Sequence, residues 1–254
     1  MGLLTTRELY IRQISVSGDI PKDNYIAHIP VVRHLMSHVL ELHKPVTIFA
    51  GENGIGKSTL IEAVALNIGF NAEGGTKSFS FATQETHSSL YEFLRVAKGS
   101  KPKDGFFLRA ESFYNVATTI DKLDKEPSFS PPLIDSYGGK SLHEQSYGES
   151  FIALIENRFG GNGLYILDEP EAALSPMSLM RMMYIMHELI QKESQFIIST
   201  HSPLLMMFPD AEVFQCTQDG IKPVQYQDTE HYQITRMFMD DPVRMFHYLF
   251  HDKL

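Results

Sequence analysis

Residues 51–59 combine glycines, a lysine and hydroxyl side chains at the spacing of a phosphate-binding loop, or P-loop. In order, they are Gly51, Glu52, Asn53, Gly54, Ile55, Gly56, Lys57, Ser58 and Thr59. In a P-loop the glycines let backbone N–H groups approach the phosphates, the lysine binds the β- and γ-phosphates, and the serine hydroxyl binds Mg²⁺. The segment therefore predicts a site for a nucleoside triphosphate with Mg²⁺, in which Ser58 is a metal ligand.

The residues on either side of this segment favour a P-loop over a glycine-rich turn that merely precedes a helix. Residues 45–50 form an apolar, β-branched run that is typical of a buried strand. Residues 59–66 have the apolar spacing of a helix. A P-loop requires this order of strand, loop and helix.

A pair of carboxylates, Asp168 and Glu169, follows the apolar run of residues 164–167. In P-loop enzymes a strand delivers an aspartate to the Mg²⁺ shell at this point, and we predict that role for Asp168. A second carboxylate one residue later can polarise the attacking water, so Glu169 is the predicted general base. The alternative is an acidic pair that only caps a helix.

A histidine, His201, follows a third apolar run at residues 195–199. The interval between Asp168 and His201 has room for one helix and one strand, which would return the chain to the same edge of a parallel sheet. There the imidazole could donate a hydrogen bond to the γ-phosphate or to the attacking water. The alternative is a histidine that only packs in the core.

These residues need a scaffold to position them, and the alternation of strand-like runs with helical spacing predicts one. It indicates an α/β fold with a mostly parallel central sheet flanked by helices. We also expect a helix over residues 87–98, a long loop over residues 121–140 and helical structure from about residue 230. This C-terminal segment could pack on the domain's own core or on a partner, and we favour the core. Since no linker-like tract occurs, residues 1–254 are predicted to form a single domain.

Composition narrows the classes of partner. Lys and Arg total 22 against 31 Asp and Glu, and the formal charge of -9 opposes non-specific attraction to nucleic acid or to an anionic membrane. A local basic patch could still bind nucleic acid, but the net charge gives that partner no support. The single cysteine, Cys216, excludes an internal disulfide, and neither a leader peptide nor a long apolar span is evident. We therefore expect a cytoplasmic protein without direct membrane insertion.

In the order of its motifs, the chain resembles the ATP-binding-cassette (ABC) superfamily of P-loop NTPases. The P-loop, the acidic pair, a stretch at residues 172–176 that resembles the superfamily's D-loop, and His201 occur in the superfamily's order. The resemblance spans most of the chain and implies ATP as the nucleotide.

The superfamily also places a signature motif at the start of a helix between the P-loop and the acidic pair. Residues 143–150 look like a divergent form of this motif, in which Tyr147 replaces a glycine. The matching residues are Ser146, Gly148 and Glu149. The resemblance implies that a small helical and loop subdomain, at about residues 112–160, carries this motif.

The resemblance also implies a homodimer in which two ATP–Mg²⁺ complexes are bound between the subunits. The signature helix of one subunit would close over the ATP held by the other, and hydrolysis would release the dimer. The glutamine that the superfamily carries after the next strand has no clear counterpart here, and Glu111 is the candidate replacement.

Residues 199–205, together with residues 51–54, look more like soluble cassette ATPases of the RecF and SMC type than like transporter subunits. We therefore expect an ATP-hydrolysing head that dimerises around ATP–Mg²⁺ and gates a partner protein, such as a nuclease or other effector in DNA repair or phage defence. The alternatives are the nucleotide-binding subunit of an ABC membrane transporter and a nucleotide sensor that does not hydrolyse ATP.

Overall fold

The computed structural model describes residues 3–6, 8–72, 74–76, 88–124 and 132–251. This part of the chain contains nine strands and nine α-helices. The strands are β1 (Ile11–Val16), β2 (Leu40–Glu41), β3 (Val46–Gly51), β4 (Leu94–Lys98), β5 (Asp104–Arg109), β6 (Gly163–Asp168), β7 (Gln195–Thr200), β8 (Glu212–Thr217) and β9 (Gly220–Val224). The helices are α1 (Pro30–Leu35), α2 (Lys57–Ile68), α3 (Leu90–Phe93), α4 (Phe113–Leu123), α5 (Tyr147–Arg158), α6 (Pro176–Ile190), α7 (Pro203–Met206), α8 (Glu230–Asp240) and α9 (Pro242–His251).

Six of the strands form the central sheet, in the order β5-β6-β7-β3-β8-β9. The first five run parallel to one another, and β9 runs antiparallel to β8. The other three strands form a small antiparallel sheet in the order β2-β1-β4. The predicted α/β fold with a mostly parallel central sheet is therefore confirmed.

Helices cover both faces of the central sheet. Because successive side chains of a strand point to opposite faces, Phe49 and Ile166 pack in a core with α1, α2 and the small sheet. Ile48 and Leu167 pack in a second core with α4, α5 and α6. This double burial explains why the strands are continuous apolar runs in the sequence.

The predicted helix over residues 87–98 is wrong for most of its length. Only Leu90–Phe93 is helical, and Leu94–Lys98 is strand β4. These residues form a strand despite their helical apolar spacing, because the backbone of β4 pairs with β1 and extends the small sheet. Residue 87 lies outside the described residues.

The predicted loop over residues 121–140 is more ordered than expected at both ends. Helix α4 continues to Leu123, and a 3-10 turn forms at Leu133–Tyr137. The phenol ring of Tyr137 is buried in the second core, which fixes this turn against the sheet. Residues 125–131 lie outside the described residues.

The C-terminal helices α8 and α9 contact each other and contain no buried residue. Neither helix contributes a side chain to the two cores, so the expectation that this segment packs on the domain's own core is wrong for α9, whereas α8 starts directly after the buried Thr229 and contacts α7. Their large exposed side chains are Ile234, Met237, Met239, Val243, Phe246, Tyr248, Leu249 and Phe250.

The described part of residues 112–160 consists of α4, α5 and short turns, and its apolar side chains pack in the second core. That these residues form a separate subdomain within a single domain of residues 1–254 stays a prediction. None of the helices in the described ranges combines the length and the apolar character that crossing a membrane requires.

Candidate functional site

Three neighbouring parallel strands, β6, β7 and β3, bring the predicted site residues to one edge of the central sheet. Strand β7 lies in the middle, and its register pairs Ser199 with Asp168 of β6 and Thr200 with Ala50 of β3. In parallel sheets, ligands bind beyond the carboxyl ends of the strands. The P-loop, the acidic pair and His201 all leave the sheet at this edge.

The P-loop connects β3 to α2 with a backbone shape that its glycines permit. Gly54 and Gly56 have φ angles of 80° and 103°, in the left-handed region that favours glycine. A Cβ atom on Gly56 would also collide with the side chain of Ile29. Ile55 anchors the loop by packing in the first core. The loop therefore leads into the N-terminus of α2, where free backbone N–H groups favour an anion.

A groove of about 160 Å³ lies along this loop. It is lined by Ile29, Asn53, Gly54, Gly56, Lys57, Ser58, Thr59 and Glu169. Gly51 ends β3, and the exposed Glu52 follows it. The groove thus joins most of the predicted nucleotide-binding residues to the predicted general base.

The side chain of Lys57 is held inside the loop. The residue is 4% exposed, and Nζ donates a hydrogen bond to the carbonyl oxygen of Glu52 at 2.8 Å. Burial lowers the pKa of Lys57, and the negative charges of Glu169 and Asp168 oppose that shift. An ammonium group has three donors, so this one hydrogen bond leaves capacity for phosphate oxygens.

Ser58 and Asp168 line a second cavity, of about 270 Å³, together with Glu169. The Asp168 carboxylate is almost fully buried and accepts a hydrogen bond from the hydroxyl of Ser199. Burial raises the pKa of Asp168, whereas the hydrogen bond from Ser199 and the charge of Arg109 act in the opposite direction.

The donor atoms in this cavity suit Mg²⁺, which prefers oxygen ligands and is usually held by one or two carboxylates plus substrate phosphates. Ser58 offers a hydroxyl oxygen and Asp168 a carboxylate oxygen. Within the described ranges, no group of three or more His, Cys, Asp or Glu residues could hold a metal ion. A Mg²⁺ ion at this place would therefore take further ligands from the nucleotide and from water.

The two predicted catalytic residues, Glu169 and His201, lie side by side. Glu169 has φ 50° and ψ 50°, a left-handed conformation that is uncommon for a residue with a side chain and often marks a functional position. Its N–H donates to the carbonyl oxygen of Ser199 at 3.1 Å. Its Oε1 lies 3.2 Å from Nε2 of His201, although the pair does not have hydrogen-bond geometry.

One functional candidate that the sequence analysis missed is Glu171. Its Oε1 accepts hydrogen bonds from the Thr200 hydroxyl at 2.6 Å, from the N–H of His201 at 2.5 Å and from the N–H of Ser202 at 3.1 Å. The carboxylate thus fixes the backbone that carries His201. Its position three residues after Asp168 was visible in the sequence, but no spacing rule links it to the end of β7.

A second missed residue is Arg109, at the end of β5. Its Nη1 lies 2.5 Å from Oε2 of Glu62 on α2, and its Nε lies 3.4 Å from Oδ2 of Asp168. Glu111, the candidate replacement for the superfamily's glutamine, also lines the cavity beside Asp168, with its side chain 85% exposed. In the sequence Arg109 lies two residues before Glu111, but no pattern indicates its ion pairs with Glu62 and Asp168.

A third missed residue is His231, the second residue of α8. Its Nε2 lies 3.0 Å from Nδ1 of His201. No pattern in the sequence connects the two histidines, because the C-terminal segment carries none of the motifs.

The candidate signature residues begin α5 and form a capping box. The Ser146 hydroxyl accepts from the N–H of Glu149 and donates to its carboxylate at 2.6 Å, and that carboxylate also accepts from the N–H of Ser146 at 3.1 Å. Ser146, Gly148 and Glu149 line a separate groove of about 460 Å³, away from the residues that line the P-loop groove. Tyr147 instead points into the cavity of Asp168, and its hydroxyl donates to the carbonyl oxygen of Ala110.

Two family models match the chain. One, described as "AAA domain", matches residues 32–126. The other, described as "AAA domain, putative AbiEii toxin, Type IV TA system", matches residues 143–207. The two matches include the P-loop, the signature-like segment, the acidic pair and His201.

Curated relatives and solved structures resemble the chain at low identity. The xylose import ATP-binding protein XylG of Moorella thermoacetica is 24% identical over 217 residues, covering 79% of this chain and 43% of the relative. The ribose import ATP-binding protein RbsA of Oceanobacillus iheyensis is 26% identical over 207 residues, covering 74% of this chain and 41% of the relative. The chain thus spans less than half the length of both relatives. A nucleotide-free ATP-binding cassette from an ABC transporter is 15% identical, with a TM-score of 0.49 and coverage of 92% of this chain and 97% of that chain.

Proposed function

Because this chain carries a P-loop ATPase domain of the AAA/ABC type, we propose that it hydrolyses ATP and uses ATP-dependent homodimerisation to gate a partner protein. The observation that carries the proposal is the convergence at one sheet edge of a phosphate-binding loop, a buried metal-binding carboxylate and a carboxylate–imidazole pair.

ATP binding rests on the P-loop, from Gly51 to Thr59. The backbone N–H groups at the start of α2 and the buried ammonium of Lys57 bind phosphate oxygens. Ser58 and Asp168 would hold Mg²⁺, which neutralises negative charge on the phosphates when bound.

Hydrolysis rests on Glu169 and His201. Glu169 lines both the P-loop groove and the cavity of Ser58 and Asp168, so its carboxylate can reach a water molecule between the two. It accepts the proton of the attacking water as general base. His201, with Nε2 3.2 Å from Glu169 Oε1, lies beside this carboxylate, where its N–H can donate to a phosphate oxygen.

Dimerisation rests on the separation of the two grooves. Ser146, Gly148 and Glu149 do not line the P-loop groove of their own chain, which supports contact with the nucleotide of a second copy. The N-terminus of the 12-residue helix α5 favours a phosphate group. A two-fold homodimer would bring each signature helix to the other subunit's P-loop, and two ATP molecules would lie between the subunits.

The comparisons with known proteins support two different kinds of partner. The family model over residues 143–207 is described with a toxin of a type IV toxin–antitoxin system, which supports a protein effector as the partner. Phage defence and DNA repair are the processes that we propose for this effector. The relatives named as sugar import ATP-binding proteins favour the second candidate, the nucleotide-binding subunit of a membrane transporter. Recovery of the full chain with the membrane fraction of its host would favour the transporter subunit. Recovery with a soluble effector would favour the proposed ATPase that gates a partner protein.

The first test is the solution mass of the Glu169→Gln variant by light scattering, with and without Mg²⁺-ATP. Removal of the general base should lower the hydrolysis rate by about a hundredfold or more while ATP remains bound. We therefore expect the mass to shift from that of one 28.8 kDa chain to that of two when Mg²⁺-ATP is added.

The matched control is Glu193→Gln, because Glu193 is also in the left-handed conformation, at φ 57°, but lies outside the site. It should hydrolyse ATP at the wild-type rate. Normal hydrolysis by Glu169→Gln would show that the general base lies elsewhere. If the solution mass of this variant were the same with and without Mg²⁺-ATP, the proposed homodimer would be rejected.

A further inference from the structure

His231 places a second imidazole behind the one that faces Glu169. Its Nε2 lies 3.0 Å from Nδ1 of His201, and the two rings are tilted by 57° with centroids 5.0 Å apart. Helix α8 holds this ring in place through Thr229, which is fully buried and donates from its hydroxyl to the carbonyl oxygen of Tyr226 at 2.6 Å. The imidazole of His231 is therefore a fixed partner of His201.

The surroundings of the pair decide which nitrogen atoms carry protons. His201 Nε2 lies 3.2 Å from a Glu169 oxygen, and a lone pair there would be repelled by the carboxylate. A neutral His201 ring is therefore protonated on Nε2 and has an acceptor lone pair on Nδ1. That lone pair requires a donor, which His231 Nε2–H supplies.

The opposite arrangement is less favourable at the Glu169 end. If His201 Nδ1 donated to His231, a lone pair on His201 Nε2 would face the Glu169 carboxylate 3.2 Å away. Each arrangement leaves one buried N–H without a hydrogen-bond partner among the described residues, on His201 Nε2 in the first and on His231 Nδ1 in the second, so the negative charge of Glu169 decides between them. Burial, followed by the proximity of His201 and Lys57, lowers the pKa of His231, which favours a neutral ring at pH 7.

We propose that His231 is a positioning residue for ATP hydrolysis, which donates from Nε2 to Nδ1 of His201 and thereby directs the Nε2–H of His201 toward Glu169 and the γ-phosphate. This inference rests on the proposed function, since it assigns a role within that reaction. It adds a residue from the C-terminal helix α8 to a site that is otherwise built at the ends of the central strands.

The kinetic test compares His231→Leu, His231→Gln and His231→Asn. A glutamine amide nitrogen can occupy the place of Nε2, whereas the shorter asparagine reaches only the place of Nδ1. We expect His231→Leu and His231→Asn to lower kcat roughly tenfold with KM for ATP unchanged, because proton placement and not nucleotide binding is lost. His231→Gln should recover most of kcat. The matched control is His247→Leu, an exposed histidine of α9 that should keep the wild-type rate.

Two kinetic results would overturn the proposal. One is a wild-type kcat in His231→Leu, and the other is a His231→Gln variant that is as slow as His231→Leu. A loss of folding in the leucine variant would appear as a lower melting temperature, and the glutamine and asparagine variants would then decide the question.

A measurement independent of turnover separates this proposal from the proposed function. In a histidine-selective ¹⁵N NMR spectrum of the wild type, the neutral His201 ring should carry its proton on Nε2, and His231→Leu should shift its Nδ1 signal. A His201 ring protonated mainly on Nδ1 would reject the inference even if ATP is hydrolysed. A correct tautomer without any ATP hydrolysis would instead reject the proposed function.

Discussion

Arg109 Nε lies 3.4 Å from Asp168 Oδ2, and the two residues are paired in register across β5 and β6. The same guanidinium places Nη1 2.5 Å from Oε2 of Glu62, which is also buried. One cation thus neutralises two buried carboxylates, one of which is the proposed Mg²⁺ ligand. Buried like charges repel strongly unless a partner compensates them, so this arginine stabilises the site before a metal ion binds.

Arg109→Ala should therefore destabilise the protein by about 3 kcal/mol, because Asp168 and Glu62 lose their buried partner. Mg²⁺-ATP supplies a new cation next to Asp168, so it should raise the melting temperature of this variant more than that of the wild type. The control is Arg181→Ala, whose ion pair with Glu156 is largely exposed and should be worth at most about 1 kcal/mol. Equal melting temperatures for the two variants would contradict the role of Arg109.

Lys57→Met should weaken ATP binding without lowering the stability of the folded protein. The variant keeps an apolar stem of similar length but removes a buried ammonium whose pKa burial lowers. The melting temperature without nucleotide should not fall, while ATP affinity should drop roughly tenfold to a hundredfold, as for the loss of one charge-assisted hydrogen bond. Calorimetric titration with ATP measures the affinity. The exposed Lys222→Ala variant should bind as the wild type does, and unchanged binding by Lys57→Met would exclude the predicted phosphate contact.

The sequence predicted the parts of the site that one chain segment determines. The strand before Gly51, the helix after it and the strand before Asp168 follow from local apolar patterns, and all three are present. Their convergence also followed from the sequence, because parallel strands end at a common edge.

The sequence could not predict contacts between side chains from distant segments. The pairing of Arg109 with Glu62 depends on how α2 crosses the sheet, and that of His201 with His231 depends on where α8 starts. Strand β4 was misread as helix because its pairing with β1, about eighty residues earlier, overrides local propensity. These features are tertiary and leave no local spacing signal.

Glu171→Ala should slow hydrolysis without weakening ATP binding. The variant removes the oxygen that accepts three hydrogen bonds from the segment 200–202, so the backbone that carries His201 loses its anchor. A small displacement of a catalytic group can cost up to about a hundredfold in rate, and we expect a loss of tenfold to a hundredfold in kcat. Steady-state kinetics and the ATP dissociation constant measure the two effects.

The companion variant is Glu171→Gln, which keeps an acceptor oxygen for these donors. It should retain most of kcat, since the other carboxylate oxygen has no hydrogen-bond partner among the described residues. If Glu171→Gln were as slow as Glu171→Ala, the charge of Glu171 would act in catalysis directly, and the anchoring role would be wrong.

Asp104→Asn should reduce stability in a way that depends on pH. Burial acts to raise the pKa of Asp104, but the hydrogen bond from the N–H of Gly160 and the charge of Arg158 outweigh it, so the pKa is lowered. Such a carboxyl stabilises the folded chain above its unfolded pKa, and the contribution is lost as pH falls through the folded pKa. The variant should lose about 2 kcal/mol at pH 7, and the difference should shrink below about pH 4. Urea unfolding at several pH values measures it, with the exposed Asp219→Asn as a control that should change little at any pH.

Glu149→Gln should strengthen the ATP-dependent dimer. The Glu149 carboxylate caps α5 by accepting from the N–H and hydroxyl of Ser146, and it places a negative charge where the proposed phosphate of the second subunit approaches. Glutamine also forms capping boxes, so the helix start should persist while the repulsion disappears. In the Glu169→Gln background, light scattering across a dilution series should show dimerisation at roughly threefold to tenfold lower protein concentration. Glu188→Gln, an exposed change of equal charge on α6, should leave the midpoint unchanged, and an equal shift in both variants would mean that only net charge matters and that α5 does not face the nucleotide.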